Sequence, residues 1–157
     1  MSSNDLVIDE NLILIHVGAE ENGQVLRKLS NQMYENGFVR ESFCDAIMER
    51  EQQFPTGLDC GKYNVAIPHT QSIHVNRTCI GVATLLDGVA FRRMDDPDES
   101  IDVTLVLMFA SAGGHEHFGL LSSITKMIQN EAIVKQIVAS EDKQEILQIL
   151  QQNLVGG

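Results

Sequence analysis

The sequence predicts a single α/β domain, a mixed β-sheet flanked by helices. Three observations carry that prediction. The length, 157 residues, suits one domain with its own core, spanning residues 1–157. The composition, 43% hydrophobic with no Trp, supplies a core that must be mostly aliphatic. The order of patterns is strand, two helices, several strands, then helices, with no internal repeat and no low-complexity stretch.

Asn11 to Val17 (NLILIHV) is a short Leu/Ile-rich run and reads as a strand. Residues 20–37 take helical periodicity, with Val25, Leu26, Leu29 and Met33 on one face and Gly37 as the residue just past the end. Ser42 to Gln53 reads as a second helix, with Ser42 and Asp45 as a capping box, and Phe54-Pro55-Thr56-Gly57 stops it. Tyr63 to Ile67 and Thr78 to Leu86 read as strands. Asp87-Gly88 signals a turn, with Val89 to Arg92 returning as a short strand. Asp95 to Ser100 (DDPDES) is an acidic loop. Ile101 to Ala110 is the most apolar run and reads as a central strand. After Gly113-Gly114, residues 116–129 carry a helical stripe of His117, Leu120, Leu121, Ile124, Met127 and Ile128. Two more helices fall near 131–138 and 142–153.

The net charge is −11. A chain this acidic offers nucleic acid or an anionic membrane no counterion release, so neither is expected as a partner. It suits a protein that meets basic partner surfaces. The three cysteines, Cys44, Cys60 and Cys79, form no CxxC pair, which argues against a disulfide framework or a structural zinc site. The start of the chain shows no basic and then apolar leader, and no apolar run reaches membrane-span length. The expected location is the cytoplasm.

Val65-Ala66-Ile67-Pro68-His69-Thr70 runs three apolar residues into a proline and then a histidine. Proline has no N–H, so pairing must stop there and His69 is pushed to the sheet's end, where sites form. Taken alone, Pro68-His69 equally fits a surface histidine in a turn. A second histidine site stands at His115-Glu116-His117, after the most apolar strand and at a helix start, where free N–H groups favour phosphate. His117 also lies on its helix's apolar stripe, which fits a buried structural histidine.

If the two strands are neighbours, the imidazoles converge, and two chemistries are open. A metal site needs a third ligand, for which His74, Glu116 and Asp59 are available, but no metal signature is complete. Covalent phosphoryl transfer needs a neutral imidazole nucleophile, with a second histidine and an arginine to neutralise charge. Arg50, in Glu49-Arg50-Glu51, is the arginine for that role, or else an ordinary solvated helix charge.

Ala66-Ile67-Pro68-His69 resembles the phosphorylation-site motif of enzyme IIA proteins of the fructose/mannitol class, in the bacterial phosphotransferase system. Arg50-Glu51…Thr56-Gly57 matches that family's RE…T-G segment, and Glu116-His117-Phe118-x-x-Leu121 resembles its later helix start. The motifs agree in order and spacing across nearly the whole chain. Arg50 to Gly57, and Pro68-His69 followed by His74, are most similar to galactitol-type members. The family's glycine-rich lead-in is thinned here to Gly57 and Gly61, with Lys62-Tyr63-Asn64 before Val65.

The resemblance implies a mannitol/fructose-type enzyme IIA fold and a phosphotransferase. His69 is then the phosphorylated nucleophile, His117 the second active-site histidine, with His115 as its competitor, and Arg50 the supporting cation. His69 takes a phosphoryl group from the carrier protein HPr and passes it to a cysteine of enzyme IIB. The membrane component, enzyme IIC, is served indirectly. No nucleotide, cofactor or metal is implied. The alternative role is a stand-alone regulatory, phosphorylation-sensing domain of the nitrogen-regulatory enzyme IIA kind.

Overall fold

Strands that are apolar along both faces need a helical layer on each side, and the chain provides both. The computed structural model describes residues 6–113 and 116–154, the latter without the side chains of 116 and 117. Along the chain run β1 (Ile13–Val17), α1 (Asn22–Glu35), α2 (Phe43–Gln53), β2 (Gly57–Leu58), β3 (Val65–Ala66), β4 (Cys79–Arg92), β5 (Ser100–Ala110), α3 (Glu116–Ile128), α4 (Glu131–Ala139) and α5 (Lys143–Leu154). Short 3-10 turns at Glu10–Leu12 and Ser72–His74 complete the order. Among the described residues, no helix is long and apolar enough to cross a membrane.

The five strands form a mixed sheet in the order β1-β4-β5-β3-β2. β4 and β5 pair antiparallel at the centre. β1 joins β4 in parallel, β3 joins β5 in parallel, and β2 pairs antiparallel with β3. The strand period of two splits β5 between two cores. Val106, Met108 and Ala110 join a cluster with Leu26 and Leu29 of α1 and Phe43 and Ile47 of α2. Leu105, Leu107 and Phe109 join one with Ile124, Val134, Ile137, Ile146 and Leu150 of α3 to α5. Each such aliphatic or aromatic side chain, once buried, is worth roughly 1.5–3 kcal/mol, so β5 is anchored from both sides.

The expected helices form within a residue or two of their predicted ends. Gly37 stands just past α1 at φ +83°. The Gly37 N–H donates to the Tyr34 carbonyl at 3.0 Å and the Phe38 N–H to the Met33 carbonyl at 3.0 Å, which closes the helix.

Four expectations are corrected. Asp87-Gly88 is no turn: Cys79–Arg92 is one strand, and between the pairs Thr84–Leu105 and Val89–Val103, β4 places the four residues 85–88 where β5 places only Thr104. Val89 to Arg92 pair with the same strand as Thr84, so the chain bulges and continues. The reversal falls instead in the acidic loop, where the Arg93 N–H donates to the Glu99 carbonyl at 2.8 Å. Arg93 also holds Asp95 through Nε and Nη2, both at 2.9 Å. Ser42 makes no capping bond to α2, because its backbone is already helical. Its hydroxyl pairs with His74 Nδ1 at 2.7 Å; the capping box belongs to Glu21 and Gln24 at α1.

The strand expected at Tyr63–Ile67 shrinks to Val65–Ala66. Asn64 leaves the pleat to donate from Nδ2 to the Asp102 carbonyl at 3.0 Å, and Ile67 turns its N–H to the Thr56 carbonyl at 3.3 Å. The first strand begins at Ile13, because Asn11 lies in a 3-10 turn capped by Asp9, whose Oδ1 accepts the Asn11 N–H at 2.9 Å.

Candidate functional site

Val65 lies opposite Leu105 and Ala66 opposite Val106, in parallel. The carboxyl ends of β3 and β5 therefore open on the same edge of the sheet. His69 leaves β3 there, and Ser111 to Gly113 leave β5. Pro68 ends the pairing as a donor, yet its carbonyl accepts the Phe109 N–H at 3.2 Å, so the last turn before His69 stays tied to β5.

Among the described residues, Phe109 and Ile67 orient the half-buried His69 ring. It stacks on Phe109 with centroids 4.5 Å apart and planes inclined by 21°. Its Nδ1 lies 2.8 Å from the Ile67 carbonyl oxygen. A carbonyl only accepts, so Nδ1 carries the hydrogen. In the neutral form of such a ring the nucleophilic lone pair lies on Nε2.

His69 borders a cleft of roughly 320 Å³ together with Arg50, Thr70, Gln71, Ser72, Ser111, Gly113 and Phe118. Among the described residues lining it there is a guanidinium and no carboxylate. Hydroxyls, an amide and a cation make a surface suited to an anion such as a phosphoryl group. A larger groove of about 540 Å³ lies along α1, lined by Glu21, Gln24, Arg27, Lys28 and Met48 among others. It shares no residue with the first and holds no histidine or cysteine.

Arg50 and Glu51 are consecutive on α2, so they point about 100° apart. The Arg50 guanidinium carbon lies 4.9 Å from the centre of the Phe54 ring, a cation–π contact that steadies it beside the cleft. Glu51 turns inward and is buried. It accepts the Thr56 N–H and the Thr56 hydroxyl, each at 2.8 Å. Burial pushes its carboxyl up to about 7, against the lowering effect of those two bonds and of Arg92.

Of the residues singled out from the sequence, the structure brings His69 and Arg50 to one cleft. His117 is the second residue of α3 and directly precedes Phe118, a lining residue; its side chain lies outside the described residues, as does all of His115. His74 sits apart from the lining, tethered to Ser42, and Asp59 pairs with Arg93 at 3.8 Å. Among the described residues, no group of three His, Cys, Asp or Glu could hold a metal ion. All three cysteines are free thiols, and burial raises Cys60 and pushes Cys79 up to about 12, away from thiolate reactivity.

Sequence reasoning passed over Ser111, Thr70, Gln71 and Ser72. The signal was present for Ser111, which follows the most apolar strand just as His69 follows its own. The other three simply continue the chain past His69.

A family model described as "Phosphoenolpyruvate-dependent sugar phosphotransferase system, EIIA 2" matches residues 6–153. The galactitol-specific EIIA component of Escherichia coli K12 is 27% identical over 124 residues, covering 79% of this chain and 82% of that protein. The fructose-specific EIIA component of Haloferax volcanii is 27% identical over 111 residues, covering 71% of this chain and 69% of its own. Among solved structures, a complex of enzyme IIAMTL and phosphorylated enzyme IIBMTL from Escherichia coli superposes with a TM-score of 0.78 at 21% identity, over 94% of this chain and 99% of that one. That likeness carries the α/β fold.

Proposed function

Because the chain belongs to the EIIA 2 family of the phosphoenolpyruvate-dependent sugar phosphotransferase system, we propose that His69 is its phosphoryl acceptor, in a system for galactitol or a related polyol. The observation that carries this reading is the Nδ1 contact with the Ile67 carbonyl. The carbonyl accepts from Nδ1–H and so holds the hydrogen on that nitrogen, which leaves Nε2 as the attacking atom.

The reaction is a pair of displacements at phosphorus. Nε2 of His69 attacks the phosphoryl group on the carrier protein HPr; the new N–P bond forms as the donor's N–P bond breaks, and the carrier imidazole leaves. The His69 ring, still protonated at Nδ1, takes up positive charge that the Ile67 carbonyl stabilises. A cysteine thiolate of enzyme IIB then attacks the same phosphorus and His69 leaves as the neutral imidazole. Enzyme IIC receives the group's effect only through enzyme IIB. Little covalent help is needed beyond alignment and charge stabilisation. Arg50 supplies the latter from the cleft wall, and His117, in the first turn of α3, is assigned the same role.

The polyol assignment is supported by the galactitol-specific relative at 27% identity. Pairing with enzyme IIB is supported by the complex of enzyme IIAMTL with phosphorylated enzyme IIBMTL.

Incubation with phosphoenolpyruvate, enzyme I and HPr tests the core of the proposal. The expected product is an acid-labile phosphoryl adduct that is absent from His69→Ala; labelling that persists in that variant refutes the assignment. In His117→Ala, phosphate should still be accepted while onward transfer slows, by about 10²-fold if the loss resembles that of one charge-stabilising donor. Deletion of the gene should abolish galactitol uptake; altered expression with intact uptake would point to a regulatory role instead.

A further inference from the structure

We propose that Glu51 is a positioning residue for His69, acting through Thr56 and Ile67, an inference that rests on His69 being the phosphoryl acceptor. Four hydrogen bonds connect the two. The Glu51 carboxylate takes the Thr56 N–H on Oε2 and the Thr56 hydroxyl on Oε1, both at 2.8 Å. The Thr56 carbonyl accepts the Ile67 N–H at 3.3 Å. The Ile67 carbonyl accepts Nδ1–H of His69 at 2.8 Å. The middle link is a single peptide-bonded residue, Ile67, whose N–H faces the clamp and whose carbonyl faces the imidazole.

The choice of a carboxylate is what makes this more than packing. Glu51 is 6% exposed. Among the described residues no cation stands within ion-pairing distance of it. Taking an unpaired carboxyl out of water is costly. An apolar residue would fill the space without that cost, but it could not grip a backbone N–H and a hydroxyl of one residue at once. The grip fixes the chain between α2 and β2, the segment on which Ile67 leans after regular strand pairing has ended at Ala66. Neighbouring bonds hold the same corner: the Phe54 N–H donates to the Arg50 carbonyl at 2.7 Å, and Arg92 donates to the Gln52 carbonyl. Arg50 and Glu51 therefore divide the work of one helical turn. One reaches into the cleft, and the other secures the backbone that sets the ring's tautomer.

The test uses the full chain and two readouts. Nitrogen-15 NMR of His69 reports the tautomer directly, without any phosphoryl donor. Rapid-quench transfer from phosphorylated HPr reports kcat and KM. In Glu51→Ala the Nδ1–H form should lose its dominance, and kcat should fall about 10-fold or more with KM changed less than about twofold, as for a misaligned nucleophile. Glu51→Gln should restore both, since its amide can accept the Thr56 N–H and donate to the hydroxyl. Thr56→Val, which keeps the shape and the backbone N–H but loses the hydroxyl, should shift both readouts the same way by less. An unchanged His69 tautomer in folded Glu51→Ala overturns the proposal. So does an unchanged tautomer in Thr56→Val if Glu51→Ala does not fold. If wild-type protein accepts no phosphoryl group, the functional reading fails, while the NMR readout still judges the link from Glu51 to His69.

Discussion

At the scale of single residues, three side chains differ in their surroundings: His69 stands past a strand end, Arg50 on a helix beside the cleft, and Glu51, next along that helix, is buried. Pro68 announced the end of a strand, and His69 followed it. Arg50 stood out only through its motif, since a helix arginine is ordinarily a solvated charge. Glu51 carried no such mark. A glutamate between an arginine and a glutamine reads as surface, and only the fold turns it inward onto Thr56. Its buried carboxyl makes a prediction about pH. Burial raises it from 4.5 to about 7, so between those values the folded chain holds a proton that the unfolded chain has released. The stabilisation is complete below the unfolded value and is lost as pH rises through the folded one. Glu51→Gln cannot titrate. The stability of wild type minus that of Glu51→Gln should thus decline by about 3 kcal/mol between pH 4.5 and 8. Urea unfolding across that range measures it, and a flat difference would show that the carboxyl is not raised.

At the scale of elements, helices were read well because their apolar stripes are long. The strands were read less well where tertiary pairing overrides local signals. Asp87-Gly88 is a strong turn pair, yet β5 is long enough to pair on both sides of it, and the local preference becomes a bulge. β2 was missed because two residues carry no period, and its partner β3 supplies only two more. Its position depends on Gly57. A Cβ there would stand 2.6 Å from the Arg92 carbonyl oxygen, and backbone yields little. Gly57→Ala should destabilise the fold by about 1–3 kcal/mol, the usual range for overpacking. Thermal unfolding measures this. Because Gly57 follows Thr56, the same substitution should also slow transfer through His69; a stable variant with wild-type rate would contradict the close approach.

At the scale of the whole molecule, composition and element order were enough for the α/β class, and the motif order was enough for the family. What they could not supply was which strands are neighbours. The convergence of His69 with Ser111 and Gly113 depends on β3 and β5 lying side by side in parallel, a long-range fact with no local signature. Net charge belongs to this scale too. At −11 the chain should be drawn to basic partner faces, and the first transfer from HPr should slow as salt rises. A second-order rate constant that stays level between about 0.05 and 0.5 M salt, several-fold either side of physiological ionic strength, would count against electrostatic steering.

The borders of the sheet carry a consequence for how copies of this chain coexist at high concentration. One border is β2, two residues long. The other is β1, five residues long and kinked where His16 adopts φ +52° and turns its N–H to the Thr84 hydroxyl at 2.8 Å. A strand from another molecule needs a long, straight row of open backbone groups to extend a sheet. Neither border offers one. The long strands β4 and β5 lie inside the strand order, so the two border strands give edge-to-edge stacking, the start of fibrous aggregation, little open backbone to build on.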